Sequence, residues 1–374
     1  MTIAYDRRFE ICAAQQRPRL LSGSPRATLR ASINGCSNRM NQKTTFLRVA
    51  TIFVASTLSA VAASEERINR EVDVRSGGKL VLDVDFGTVD LRTGADDKVA
   101  VEAFRSIDFG DEAKEKEYLA RAPITITTEN NIVIVRARAP KEVRPDWFRR
   151  TRIDGRYTIR VPKNFSADLN TGGGDITASE LMGDMRADSD GGDLRFSHLR
   201  GALFGRSGGG EIKLDDCDGA AEIKTGGGDI VFTDGKGTLR ARTGGGTIEV
   251  RNFVGDTDVS TGGGEVRLQR IDGAIAGETS GGSITASVSG VAIKKISLES
   301  SGGDIDLALP KSATADITAR TSGGRITTNL PLEVTRADNE HLRGKLNGGG
   351  PSVLLRTSGG SISINSATAE TAAR

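Results

Sequence analysis

The chain has 374 residues, of which 47 are glycine, 4% are aromatic and two are histidine, the glycine-rich, aromatic-poor composition that β-repeat proteins often show. The two imidazoles, His198 and His341, have no metal-ligand spacing between them, so a histidine-based metal centre is excluded. The formal charge of +2 supports no nucleic-acid partner, because residues 1–62 hold nine Lys/Arg and two Asp/Glu, and residues 63–374 have 42 bases against 47 acids, about −5.

Residues 1–39 are Arg-rich and carry neither helical nor strand periodicity; they read as an over-extended, disordered N-terminus. Residues 40–62 read as a signal peptide. Met40 opens it, Lys43 and Arg48 give a positive n-region, Val49 to Leu58 an apolar core, and Ala60-Val61-Ala62 a small-residue cleavage site. The apolar run is too short to span a bilayer comfortably. The expectation is export, to the periplasm or the cell surface, with cleavage near Ala62 and no transmembrane segment in the mature chain. Cys12 and Cys36 would leave with the leader, so Cys217 has no disulfide partner, and no cysteine follows the cleavage site to carry a lipid.

Residues 63–168 read as an N-terminal β region of the repeat with one insertion. Alternation predicts strands at Lys79–Val84, Thr88–Arg92, Val99–Phe104, Ile124–Thr128, Ile132–Arg136 and Tyr157–Val161. The charged stretch Asp111 to Ala120 reads as an exposed helix or loop. Pro140 to Asp154 holds Trp147, Phe148 and the arginines 144, 149, 150 and 152. Aromatic plus Arg suits a binding loop; a solvated connection whose Trp plugs the end of the repeat is the favoured reading.

Residues 169–290 are the regular part. TGGGDI, SDGGDL, RSGGGEI, TGGGDI, TGGGTI, TGGGEV and TSGGSI follow one another, and their last glycines, Gly174, Gly192, Gly210, Gly228, Gly246, Gly264 and Gly282, are 18 residues apart every time. Gly183, Gly201, Gly219, Gly237, Gly255 and Gly273 fall midway. Between glycines the pattern alternates: Ile176/Ala178, Leu194/Phe196, Ile212/Leu214, Ile230/Phe232, Ile248/Val250 and Val266/Leu268 share one apolar face. The other half-coil carries smaller inward pairs such as Met185/Ala187 and Leu239/Ala241, a thinner wall. One coil buries nothing alone; stacked coils close a core. The fold class is all-β, a two-sided parallel β-solenoid of 18-residue coils, each made of two nine-residue half-coils and rising ~4.8 Å. The seven repeat glycines are expected to supply positive φ at the corners. Ser189, Ser207, Thr225, Thr243, Thr261 and Thr279 would stack as a hydroxyl ladder. No period of six marks a hexapeptide helix, and the acid lying directly after the last glycine, the glycine run on alternate half-coils only, and Thr247 or Ser283 in place of the acid argue against a calcium-binding nonapeptide roll.

Residues 291–364 read as C-terminal coils with looser period. Corners recur at Gly303-Asp304 and Gly324-Arg325, steps of 21 with the extra residues in connecting turns, then at Gly348 to Gly350 and at Gly359-Gly360-Ser361-Ile362. Residues 365–374 read as a disordered tail.

Two stretches carry a family resemblance. Arg156-Tyr-Thr-Ile-Arg-Val-Pro162 running into Asp168-Leu-Asn-Thr-Gly-Gly-Gly-Asp-Ile176 resembles the core signature of the bacterial "putative adhesin" β-repeat family, a domain of unknown function. Arg343 to Ile364 is similar to that family's closing segment. The similarity covers roughly Val72 to Ile364. It implies an exported β-solenoid and brings no catalytic or binding residues to carry over.

No catalytic, cofactor-binding or metal-ligating residue is assigned. His198 falls in a variable corner, where a solvated turn is the simpler account. Asp188-Ser-Asp190-Gly-Gly-Asp193 and Asp215-Asp216-Cys-Asp218 are incomplete as oxygen-ligand sets for a hard cation. On the thin wall the period brings Arg206, Lys224 and Arg242 into one basic column, a candidate contact for an acidic glycan, a phosphate or another cell-surface component; the competing account pairs them with acids such as Glu222. The longer corners differ from coil to coil and could carry specificity. The sequence points to a non-enzymatic, adhesin-like surface or periplasmic binding or scaffold protein. A rod self-associating end to end through its terminal coils, and a carbohydrate-active enzyme on a β-helix, are the alternatives.

Overall fold

A computed structural model describes residues 63–139, 152–290 and 292–367. The expected leader, Trp147 with residues 140–151, and residues 368–374 lie outside them. Among the described residues are 26 strands and one helix, and the strands join into a single sheet that winds on itself. In the regular part each residue pairs with the one 18 positions on: Ile212 with Ile230, Ile230 with Ile248, Ile248 with Val266. All these pairings are parallel. The alternation therefore lands as written, with Ile212, Leu214, Ile230, Phe232, Ile248 and Val250 at most 1% exposed. Each such side chain, fully buried, contributes roughly 1.5–3 kcal/mol over leaving it in water.

The coil is a two-walled solenoid whose longer corner is itself a narrow β face. Cys217 pairs with Gly235, and Gly235 with Phe253. Leu181, Leu199, Cys217, Phe253 and Ile271 point inward there and are buried. Gly235 makes room for the edge-on pair Phe232 and Phe253, whose ring centroids are 5.2 Å apart.

The corner glycines act differently from expectation. Of the seven repeat glycines only Gly174 has positive φ (122°). At Gly192, Gly210, Gly228, Gly246, Gly264 and Gly282 a Cβ would instead collide with the carbonyl of the equivalent glycine one coil earlier. These corners need a bare backbone because coils approach closely, not because the chain turns left-handed. Positive φ sits in the longer corner, at Gly201, Gly219, Gly237 and Gly255, and at six residues with side chains: Glu180, His198, Asp216, Asp234, Asn252 and Arg270.

At the ends, spatial order departs from chain order. Strand Lys79–Val84 lies between Ile132–Ala137 and Ser166–Thr171, and Thr88–Thr93 between Arg152–Val161 and Ile176–Ser179. The first coil of the chain is thus second in space. The same happens at the other end. Ser352–Thr357 lies between Ile296–Ser300 and Ala315–Arg320, and Ile362–Ser366 between Ile305–Leu309 and Ile326–Thr328. The corner at Gly324 therefore sits on Gly360, which sits on Gly303; it is not the next coil after Gly303, as its step of 21 suggested.

Antiparallel strands close both ends. Ser64–Asp73 pairs with Lys98–Asp108, which pairs with Arg152–Val161; at the far end Leu332–Ala337 pairs with His341–Leu346 and the latter with Ala315–Arg320. The strand Ser64–Asp73 was not foreseen in the sequence. Helix Glu112–Arg121 is capped by Asp111, whose carboxylate accepts the Ala113 and Lys114 N–H groups. It is not merely an exposed insertion: Tyr118 is 2% exposed and donates to Asp85, while Glu115 accepts from Ser64. Burial pushes the Tyr118 and Tyr157 phenols up, so both stay neutral.

Candidate functional site

The repeat's own polar residues are largely spent on the corners. Each ladder hydroxyl donates to the third glycine of the coil below: Ser207 to Gly192 O at 2.8 Å, Thr225 to Gly210 O at 2.8 Å, Thr243 to Gly228 O at 2.8 Å, Thr261 to Gly246 O at 2.8 Å. The same oxygen accepts the N–H of its own third glycine, Gly246 on Thr243 at 3.2 Å. The acid after the glycines has a matching task. Asp175 accepts the Asp193 N–H at 2.9 Å, Asp193 that of Glu211 at 2.9 Å, and Asp229 that of Thr247 at 2.7 Å. Arg195 bridges Asp175 and Asp193, and Lys213 pairs with Glu211 at 2.8 Å. Asp175 and Asp193 are thereby both neutralised and hydrogen-bonded.

The other candidates have similar partners. Arg200 holds Asp216 through two bonds of 2.8 and 2.9 Å, and Asp218 is shared by Arg200 and Lys236. Asp188 is held by Arg186 at 2.9 Å. Among the described residues no cluster of three or more His, Cys, Asp or Glu is arranged to hold a metal ion. His198 is exposed in its corner with Nε2 at 3.8 Å from Asp216, and His341 lies 3.1 Å from Asp338. Burial pushes the Cys217 thiol up to about 11, which makes it a poor nucleophile at neutral pH.

The basic column forms in register. Asp188, Arg206, Lys224, Arg242, Ser260 and Glu278 are successive neighbours on the thin wall. Lys224 pairs with Glu222 at 2.5 Å and Arg242 with Asp258 at 3.5 Å. Arg206 is exposed and makes no ion pair or side-chain hydrogen bond among the described residues.

Beside this column runs a feature that the sequence did not reveal. A groove of about 930 Å³ follows the solenoid axis along the start of the thin-wall strands. Its lining comes from nine stacked strands, from Lys79 on Lys79–Val84 through Ser166–Thr171 to Ile296–Ser300. Its floor is mixed: Ala202, Leu203, Ala220, Leu239 and Ile275 alternate along it with Asp184, Thr238 and Asp256. Its rim is the outward column Arg186, Phe204, Glu222, Arg240 and Asp258. Arg186 lies over the Phe204 ring, 4.2 Å from its centroid, and Arg240 pairs with Asp258 at 3.2 Å.

This fold, with corners that consume their own polar groups and a groove open along one wall, defines an all-β solenoid repeat protein with an extended outer face. Over residues 78–365 the chain matches the family model described as Toastrack DUF4097, and it belongs to that family. None of the curated proteins matches it. It is similar to solved structures of a "putative adhesin" from Bacteroides fragilis (12% identity, 80% of this chain and 98% of that one, TM-score 0.32). Others are a "putative cell adhesion protein" from Clostridium sporogenes (13%, 81% and 100%, 0.21) and a "putative lipid binding protein" from Parabacteroides distasonis (13%, 81% and 97%, 0.31). At these identities and scores they bear on neither ligand nor role.

Proposed function

We propose that this protein is an exported, non-enzymatic binding protein of the adhesin type, acting in the periplasm or at the cell surface after removal of residues up to Ala62. The observation that carries this reading is the thin wall. Its Arg206/Lys224/Arg242 column and the adjoining groove run together across successive coils. A polymer laid along it would meet the same backbone spacing at every coil, with side chains that differ from one coil to the next. An enzyme would instead need converging acids or a nucleophile, and the acids here serve as backbone acceptors and ion-pair partners. End-to-end growth as a rod is the weaker reading, because of the four strands paired on one side only, Ser64–Asp73 is crowded with charge, Leu332–Ala337 carries Glu333 and Arg336, Thr125–Glu129 ends in an acid and Ile326–Thr328 has only three residues. The test is an array of bacterial and host surface glycans probed with the purified protein and with an Arg206→Ala/Lys224→Ala/Arg242→Ala variant. Binding by the former, weakened in the latter, is expected. A folded protein that binds nothing on the array would remove the adhesin reading.

A further inference from the structure

We infer that the thin wall docks, face to face and antiparallel, on the thin wall of a second copy of this chain. Such docking goes beyond the binding role above and covers the basic column whenever no surface ligand does. Past Glu278 the register carries that column through Glu299 and Arg356 to Arg320. From Asp188 to Arg356 the charges therefore read minus, three plus, neutral, two minus, plus. This order is antisymmetric about the gap between Arg242 and Ser260.

A two-fold axis in that gap, lying along the strands, reverses the order of the coils and sets each column against itself. Lys224 then meets the partner's Glu278, Arg206 the partner's Glu299 and Asp188 the partner's Arg356, each pair formed twice. In the neighbouring column, two residues earlier in each strand, Arg240 meets the partner's Asp258. There Glu222, Phe204 and Arg186 meet the neutral Ala276, Ser297 and Leu354 of the partner. Like charges meet nowhere on these coils. Half a coil of shift destroys the match. With the axis on the Ser260 coil, Arg206 faces Arg356 and Asp258 faces its own copy. With the axis on the Arg242 coil, Arg242 and Arg240 face their own copies and Asp188 faces Glu299. Opposed potentials favour the one register, and like charges suppress the others.

The charges left over within one chain fit the same axis. Arg206 and Glu278 are both exposed, and neither has an ion pair or side-chain hydrogen bond among the described residues. Docking gives each a counter-charge. Lys224 and Glu299 already touch Glu222 and Arg356, so for them it adds a second partner. Seven coil spacings, ~34 Å, by a five-residue strand of ~17 Å give a footprint of roughly 570 Å² per copy. A standard stable interface buries ~800 Å² per partner, so this dimer is weak, reversible and sensitive to salt.

The experiment is sedimentation velocity of the purified protein over a range of concentrations at low and high salt. A monomer–dimer equilibrium is expected, weakened about tenfold or more by salt. Arg206→Glu and Glu299→Arg, both at exposed positions, should each weaken the dimer at least about tenfold, since each places two like-charged pairs across the axis. Mixed in equal amounts, the two variants should associate again, because their heterodimer restores opposite charges at both contacts. The Arg206→Glu/Glu299→Arg double variant should do so alone. Should either single variant misfold, Lys224→Glu and Glu278→Lys repeat the design one coil nearer the axis. A parent that stays monomeric, a dimer indifferent to salt or to both reversals, or single variants that stay apart when mixed overturns the docking. A monomeric parent that binds the glycan array removes the dimer and leaves the adhesin role standing; a dimer that binds nothing on the array does the reverse.

Discussion

Gly209 and Gly210 stand side by side in one corner and obey different rules. A Cβ on Gly209 would meet nothing within 4 Å, and neither residue has positive φ. A Cβ on Gly210 would collide with the Gly192 carbonyl, and Gly228 would then face the displaced Gly210 in turn. The Gly192 carbonyl cannot move away freely, because it accepts the Ser207 hydroxyl at 2.8 Å only while it faces inward. Gly210→Ala should therefore cost on the order of 1–3 kcal/mol, the usual penalty of overpacking. Gly209→Ala should stay within about 0.5 kcal/mol of the parent, with reduced unfolded-state freedom working in its favour. Urea unfolding of the two variants checks this, and equal losses would show that the corner responds as a unit.

At the scale of the strand and its corner, the hydroxyl ladder is what joins coil to coil. Thr243 is 6% exposed and satisfies both the Gly228 carbonyl and the Gly246 amide. Thr243→Val keeps the shape and removes both bonds, leaving a buried donor and acceptor unmet, so a loss of about 1–3 kcal/mol is expected. Thr243→Ser keeps the oxygen and should come close to the parent, as Ser207 does naturally two coils earlier. Thermal unfolding separates the two, and similar melting points would refute the ladder's importance. This ladder was legible in the sequence because one residue type recurs at one position. So was the thin-wall column, since register follows from an exact period. The left-handed corner was not, because Glu180, His198, Asp216, Asp234, Asn252 and Arg270 share no chemistry that announces positive φ. The groove was not legible either. Asp184, Ala202, Ala220 and Thr238, equivalent places along it, look unrelated in the sequence.

At the scale of the whole molecule, the two threaded ends were invisible in the sequence for a different reason. Coils of one repeat are interchangeable in pattern, so alternation alone does not say which coil lies on which. The ladder itself records the answer: Thr357 donates to Gly303 O at 2.8 Å and Thr321 to Gly360 O at 2.7 Å. In a simple solenoid the last coil is held on one side and can fray, since stability is a sum of neighbour terms. Here the coil nearest the C-terminus is held on both sides, and the outermost coil, Ala315 to Thr328, rests upon it. Forming these pairings requires bringing together segments far apart in the chain, which slows folding but protects the end once formed. Deleting residues 348–374 should therefore do more than shorten the rod. Residues 315–346 should lose their support and exchange amide hydrogens as unfolded chain, whereas residues 169–288 keep their protection. Deleting only residues 368–374 should leave the protection of both regions as it was. Hydrogen exchange read by mass spectrometry distinguishes the outcomes. Retained protection across 315–346 in the longer deletion would mean that this coil re-docks directly on Ile296–Leu309, and that the threaded order is not what holds the C-terminal end.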